Sequence, residues 1–448
     1  MNRISVLMCV AALVTGCGKS EDIAPPADFD LVVRCGAMID GLGDSATGER
    51  LIVVRDERIS EILPGDDASM AGADILDLSD YTCLPGLIDM HVHVDGYPQD
   101  ADDYTIYIRR TREDTRQISI ELGKVILDSG FTTVRNVGTY QAWVARDLKD
   151  MIEAGEVVGP RMQIAGPYLT IPRGGGDLYI PGVPDSEVQD YFHMGVARGA
   201  DQFRERAQYI VDGGADFLKI IASGAVFGHS SEPGAPEMTF DEIAAVVEVA
   251  DAAGLKVTAH AHSAESIKDA ILAGVSSIEH ASLGDDESIA LAIEHDVAFS
   301  MDVYNGTYTE EMGEENGYAE EFMEKNEMTT EAQRVVFRKA LAAGVTLVFG
   351  TDLGVLPHDL GARQFAEMVK QGMTPMHAIK SSSSIAADHM GLAADVGAIE
   401  AGRYADLIAV KGNPLEDITV LQDVRLVLKG GTIVSQKSAP AMTGAHTE

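Results

Sequence analysis

Between residues 86 and 350 short apolar runs recur eight times, at 86–91, 131–136, 161–166, 216–221, 256–260, 276–280, 297–301 and 346–350. Segments of helical period separate them. Stretches such as "TFDEIAAVVEVADAAG" and "AESIKDAILAG" repeat apolar residues every three or four positions, whereas the short runs bounded by turn residues read as strands. Thr239 with Glu242 three residues on forms a capping box, and Gly254 and Gly274 stand where helices should stop. Strands joined through helices run parallel and are covered by those helices. Eight such units predict an α/β chain folded as a (β/α)8 TIM barrel over residues 85–397. A doubly wound open sheet is the alternative, but no GxGxxG follows the first strand.

The flanks have a different texture. "FDLVVRCGAMID" and "RLIVVRDERISEIL" near one end, "ADLIAVKGN" and "VRLVLKGGTIV" near the other, alternate or run apolar between Gly and Asp turns. Residues 29–84 and 398–435 are therefore expected to form one small β-sandwich domain, with residues 436–448 a disordered tail. Three long connections, 167–195, 222–238 and 302–330, all follow strands. They would cover the carboxyl face of the barrel, where such folds keep their sites.

Polar residues close several of the strands. The first ends in His91 and His93, the fifth in His260 and His262, the sixth in His280, and the eighth in Asp352; Lys219 lies inside the apolar fourth. Residues i and i+2 of a strand face the same way, so each histidine pair shares a side. Singly, such a histidine can simply bond a loop, the aspartate can cap a helix and the lysine can snorkel to a carboxylate. Together, at one end of successive strands, they point to metal. A buried amine loses its charge. A neutral lysine can take up carbon dioxide as a carbamate, which offers two oxygen donors and can bridge two ions.

"PGLIDMHVH", the strand-four lysine, "HAHS", "IEH" and "GTDLGV" resemble the amidohydrolase superfamily, and "GAIEAGRYADLIAVKGNPLEDI" resembles its return into a small β domain. The likeness runs from about residue 30 to 435. "VTAHAHSAESI" and "SIEHAS" are most similar to the imidazolonepropionase-related, prolidase-like peptidases, which include periplasmic dipeptidases. The resemblance implies two divalent metal ions, with Zn²⁺ suited to the donors. His91, His93 and Asp352 would hold the buried ion, His260 and His280 the outer one, and carbamylated Lys219 would bridge them. It also implies a hydroxide between the metals, Asp352 as the proton carrier and His262 polarising the substrate carbonyl. The chain departs from its relatives at Arg135-Asn136, where Arg-Asp is common, and at "PRGGGD", where a Gly-Gly-His-Gly run is common. Arg173 in that loop, Tyr304 and His358 are candidate substrate contacts.

The implied activity is hydrolysis of the amide bond of a dipeptide or N-acyl amino acid. A mononuclear cyclic-amide hydrolase or deaminase, a lactonase- or phosphotriesterase-like enzyme, and a non-catalytic binding lipoprotein are the alternatives. A net charge of −37 excludes nucleic acid as a partner. It leaves a small-molecule substrate and room for a homo-oligomer. At the start of the chain, Arg3, the apolar stretch Ile4 to Val14 and Val14-Thr15-Gly16-Cys17 resemble a bacterial lipoprotein signal. That resemblance implies cleavage after residue 16, a lipid on Cys17, a tether over 17–28 and a periplasmic protein anchored to the outer membrane. The lipid would be its sole membrane contact. Cys35 and Cys83 are read as two separate buried thiols, although an oxidising compartment permits a disulfide.

Overall fold

The computed structural model describes residues 29–70, 73–437 and 442–443. The signal segment 1–16, Cys17, the tether 17–28 and most of the expected tail lie outside the described residues. Among the described residues no helix is long and apolar enough to cross a membrane.

Four strands come first: β1 Leu31–Met38, β2 Arg50–Arg55, β3 Arg58–Pro64 and β4 Ile75–Pro85. The eight strands expected from the sequence follow: β5 Leu87–Val92, β6 Phe131–Asn136, β7 Arg161–Ile164, β8 Leu218–Ile221, β9 Val257–Ser263, β10 Ser277–Leu283, β11 Ala298–Ser300 and β12 Leu347–Val348. β13 Leu407–Val410, β14 Leu426–Lys429, β15 Thr432–Gln436 and β16 Met442–Thr443 close the chain.

β5 to β12 run parallel in two sheets, β5-β6-β7 and β12-β11-β10-β9-β8. Backbone hydrogen bonds cross both gaps between them. Met90 N–H donates to Phe349 O (2.8 Å) and Asp352 N–H to His91 O (2.9 Å) on one side; Leu169 N–H donates to Lys219 O and Ile221 N–H to Leu169 O (2.9 Å each) on the other. Every residue of β5, β6 and β9 is buried, as expected of parallel strands covered on both faces. The intervening helices end where their sequences said. Thr239 Oγ1 accepts from Glu242 N–H while Glu242 Oε2 accepts from Thr239 N–H, and Gly254 (φ 70°) and Gly274 (φ 103°) terminate their helices. The expected helical content of 302–330 is present as Asn305–Met312 and the start of Glu320–Ala343.

The terminal strands correct two expectations. In place of a two-sheet sandwich they hydrogen-bond into one eight-stranded sheet, β15-β14-β13-β4-β1-β2-β3, with β16 also on β4. The cause is the eleven-residue β4, which pairs with β1 in parallel and with β13 antiparallel, joining both halves. Ile52 and Val54 of β2 share one core with Leu426 and Leu428 of β14, so the sheet wraps around that core. The pairing of Met442–Thr443 with β4 also places structure within the stretch expected to be disordered.

The second correction concerns Cys35 and Cys83, which form a disulfide with Cα atoms 5.8 Å apart. The β1–β4 register breaks between Cys35 and Ala37, so that β4 arches past β1. Gly36 permits the crossing, since a Cβ there would meet Ser79 O at 1.9 Å. Both sulfurs then point into the same core. The bond spans 48 residues of sequence. Closing a loop of that length removes about 4 kcal/mol of unfolded-chain entropy in the loop-closure model. Replacing both cysteines by serine is expected to lower the unfolding free energy by about 2–4 kcal/mol, measured as a drop in the urea midpoint against the oxidised wild type.

Candidate metal centre

The strand-end residues converge. His91 lies in β5 and His93 just beyond it, Lys219 in β8, His260 and His262 in β9, His280 in β10, and Asp352 four residues past β12. All seven line one cavity, which encloses about 1170 Å³ including its open mouth. Five imidazoles form a continuous cluster. The His91 and His93 centroids are 5.3 Å apart, His91 and His280 4.9 Å, His260 and His280 4.5 Å, and His262 stacks on His280 at 4.8 Å.

One nitrogen of each imidazole is committed to the protein. His91 Nδ1–H donates to Glu279 Oε2 (2.8 Å), His93 Nδ1–H to Gly138 O (2.9 Å), His280 Nδ1–H to Asp302 Oδ1 (2.9 Å) and His260 Nε2–H to Gly224 O (3.1 Å). His262 Nδ1 lies 2.8 Å from Ser282 Oγ. The other nitrogen of each ring is left to bind, the pattern of metal-ligating histidines oriented by outer partners. His91 Nε2 and His93 Nε2 lie 3.3 and 3.2 Å from Asp352 Oδ1. Two donors about 2.0–2.1 Å from a tetrahedral zinc ion would stand roughly 3.3 Å apart, so this trio fits one ion. Two further groups have donor atoms within 4.8 Å of one another: His260, His262 and His280, and His280, Asp302 and Asp352. His262 therefore stands among the possible ligands, beside the role expected of it as a carbonyl polariser.

The electrostatics follow from burial and charge. Desolvation brings the Lys219 amine down to about 8, against the opposing pull of Glu279. That leaves roughly a tenth of it neutral at pH 7. Burial and the neighbouring His280 lower His262 to about 3, so it is a neutral donor. Burial alone would raise Asp352, but the His91 and His93 imidazoles hold it well below the carboxylate range. Asn305 Nδ2 donates to its Oδ2 at 3.1 Å, leaving Oδ1 to the histidines. His280 (φ 70°), Ala281 (φ 52°) and Asp352 (φ 60°) occupy the left-handed region, strain of the kind that gathers at functional sites.

Three sequence candidates lie elsewhere. Arg173 is exposed; its backbone N–H donates to Asp177 Oδ2 and its guanidinium sits 4.6 Å over Tyr179. Tyr304 is buried in a helix-to-helix contact, its hydroxyl accepting from Arg363 (3.0 Å). His358 donates from Nε2 to His93 O (2.7 Å) and braces the backbone behind the site. None of the three lines the cavity. Its wall is instead aromatic, with Tyr97, Tyr104, Tyr107, Tyr140, Tyr168 and Tyr318. Tyr168 Oη is 3.0 Å from His93 Nδ1, and Gly138 makes room, since a Cβ there would lie 2.3 Å from the Tyr168 ring.

Sequence reasoning also missed Glu279 and Asp302. Glu279 is fully buried; Arg135 Nη2 donates to its Oε1 at 2.5 Å, and Thr258 Oγ1 bonds the same oxygen. A charged residue inside the apolar run "SSIEH" was the available signal, together with Arg135, noted only as half of a departing dipeptide. Asp302 carried none, being one acid at the start of an acidic loop.

Residues 82–434 match the family model described as the amidohydrolase family. The ochratoxinase of Aspergillus niger is 30% identical over 375 residues, covering 78% of this chain and 75% of that protein. A Xaa-Pro dipeptidase solved with methionine in its active site superposes with a TM-score of 0.83 at 35% identity, over 90% of this chain and 99% of that one. A prolidase solved with N-methylphosphonate-L-proline gives 0.84 at 28% identity, over 91% of this chain and 100% of that one.

Glu279→Gln is expected to weaken metal binding by about 10–100-fold, read by zinc competition with a chelator. It also strands the buried Arg135 charge, so stability should fall by about 3–5 kcal/mol, read from the denaturant midpoint of the same protein.

Proposed function

The chain belongs to the amidohydrolase family, and from that premise we propose that it is a binuclear metal-dependent hydrolase of dipeptides or N-acyl amino acids. The observation that carries the reading is the set of donor residues facing one cavity, His91, His93 and Asp352 in one group and His260 with His280 in the other, with His262 beside the second. The dipeptidase and prolidase among its structural relatives support the substrate class. The hydrogen bonds that bridge both gaps between the parallel sheets support a (β/α)8 barrel as its frame. The imidazole-rich donors favour zinc. Lys219, buried and brought toward neutrality, is suited to carry a carbamate that joins the two groups.

Bound zinc would supply an activated water and a polarised carbonyl. The protein's own residues do the rest. Asp352, held through Oδ2 by Asn305, presents Oδ1 to take a proton from the attacking water. It then returns that proton to the leaving amine. His262 accepts the Ser282 hydroxyl at Nδ1 in the tautomer that frees Nε2–H to stabilise the developing oxyanion. The tyrosine wall gives this side of the cavity a largely apolar lining.

Export to the periplasm and a lipid on Cys17 belong to the same proposal. The Cys35–Cys83 disulfide supports an oxidising compartment.

The test is a library of dipeptides and N-acyl amino acids offered to the zinc-loaded chain. At least one amide should be hydrolysed, and Asp352→Asn should slow that turnover by about 10²–10⁴. Failure on every amide overturns the reading. In the same preparation Lys219→Ala should hold one metal ion where the wild type holds two, by elemental analysis. Two ions and normal turnover in that variant would remove the carbamate.

A further inference from the structure

The cavity has a second chemical feature beside the donor groups. Asp95 is 4% exposed and lines the cavity, yet it belongs to none of the three possible metal groups. Its Oδ2 accepts from Tyr140 N–H at 2.9 Å. Among the described residues no lysine, arginine or histidine lies within ion-pair distance of it, and the basic group that acts on it most is the His93 imidazole. The two arginines nearest in sequence are already committed, Arg109 to Asp103 at 2.5 Å and Arg110 to Asp100 through two bonds of 2.5 and 2.8 Å. Among the described residues no arginine lines the cavity, and its one lysine is Lys219 on β8. A carboxyl group on a cavity wall beside several aromatic rings offers a cationic group both an oxygen acceptor and ring faces.

The surroundings suit a cation from outside. Tyr104, Tyr107, Tyr140 and Tyr168 form a chain of rings along the same wall, with centroids 5.9, 5.2 and 5.5 Å apart in turn. Aromatic faces attract ammonium and guanidinium groups, and several rings around one anion make a receptor for them. Gly96 holds this arrangement tight: a Cβ there would meet Asp100 Oδ2 at 2.8 Å and Tyr107 Oη at 2.9 Å. The segment that follows Asp95 is thus packed onto the ring wall.

We infer that Asp95 and the rings of Tyr104, Tyr107, Tyr140 and Tyr168 bind a cationic group of the substrate, an alkylammonium or a guanidinium. The inference rests on the amide-hydrolase reading for its substrate and deepens it. An unblocked α-ammonium and a basic side chain are the two sources of that charge, and both exclude a wholly neutral or acidic acyl amino acid as the preferred substrate. Asp95 is here a specificity residue; it takes no part in proton transfer.

The experiment has a binding arm and a kinetic arm, both on the zinc-loaded full chain. Calorimetric titration with butylammonium chloride should show saturable binding about tenfold or more tighter than n-butanol. Asp95→Asn, which keeps an acceptor for Tyr140 N–H, should remove that difference. Tyr107→Leu should reduce it severalfold and carries the test if the Asn variant does not fold. In the kinetic arm, kcat/KM is compared for Ala-Leu, propionyl-Leu and propionyl-Arg. A gain for Ala-Leu over propionyl-Leu identifies the α-ammonium, and a gain for propionyl-Arg the side chain. Butylammonium binding no tighter than butanol, or an Asn variant that keeps the preference, overturns the inference. Equal turnover of all three amides by the wild type overturns it as well. If none of the amides is cleaved while Asp95-dependent ammonium binding persists, the hydrolase reading fails and the cation site stands.

Discussion

The Glu279 carboxylate, sealed from solvent, holds the centre together. It receives His91 from β5, Arg135 from β6 and Thr258 from β9, so one side chain ties three strands at the level where the donors emerge. An ionised carboxylate at that depth is tolerable only because Arg135 neutralises it and hydrogen bonds occupy its oxygens. Burial alone would push it up, but Arg135 and His91 keep it well below the carboxylate range. It is also the leading opposite charge acting on Lys219. The protonation of the lysine and the aim of the first histidine therefore answer to the same group.

A second buried acid does related work. Asp89 accepts the Thr351 hydroxyl at 2.5 Å, and its other oxygen accepts the backbone N–H of His91 and of Thr351. It fixes β5 to the turn that carries Asp352. The His91–His93–Asp352 trio is thereby held from behind on both sides, and Asp352 is kept in its left-handed backbone conformation. Locking the supporting side chains in this way holds a site's geometry precisely.

Much of this was legible in the sequence, for a physical reason. Period-two and period-3.6 patterns are local, so the eight strands and the helix ends could be read residue by residue. The donor residues could be read because hydrophobic strands rarely end in histidine without cause. What escaped depends on distant register. The disulfide needed the break between Cys35 and Ala37, and the single terminal sheet needed β4 to be long enough to serve two partners. Arg173, Tyr304 and His358 looked plausible because they follow strands, but side-chain direction within a long loop is set by contacts such as Arg173 with Tyr179, which no periodicity reveals. The tyrosine wall was hidden for the same reason, its members coming from four separate connections.

The sheet joining both ends of the chain also dictates an order of assembly. β4 pairs with β13 between residues 82–85 and 407–410, so its central edge stays open until more than three hundred residues have followed. An unpaired strand edge of that length is a template for intermolecular association. During vectorial synthesis the first four strands must therefore wait for β13 with that edge unpaired. A chain truncated between Asp352 and β13 would keep every residue of the candidate centre and still be an aggregation hazard.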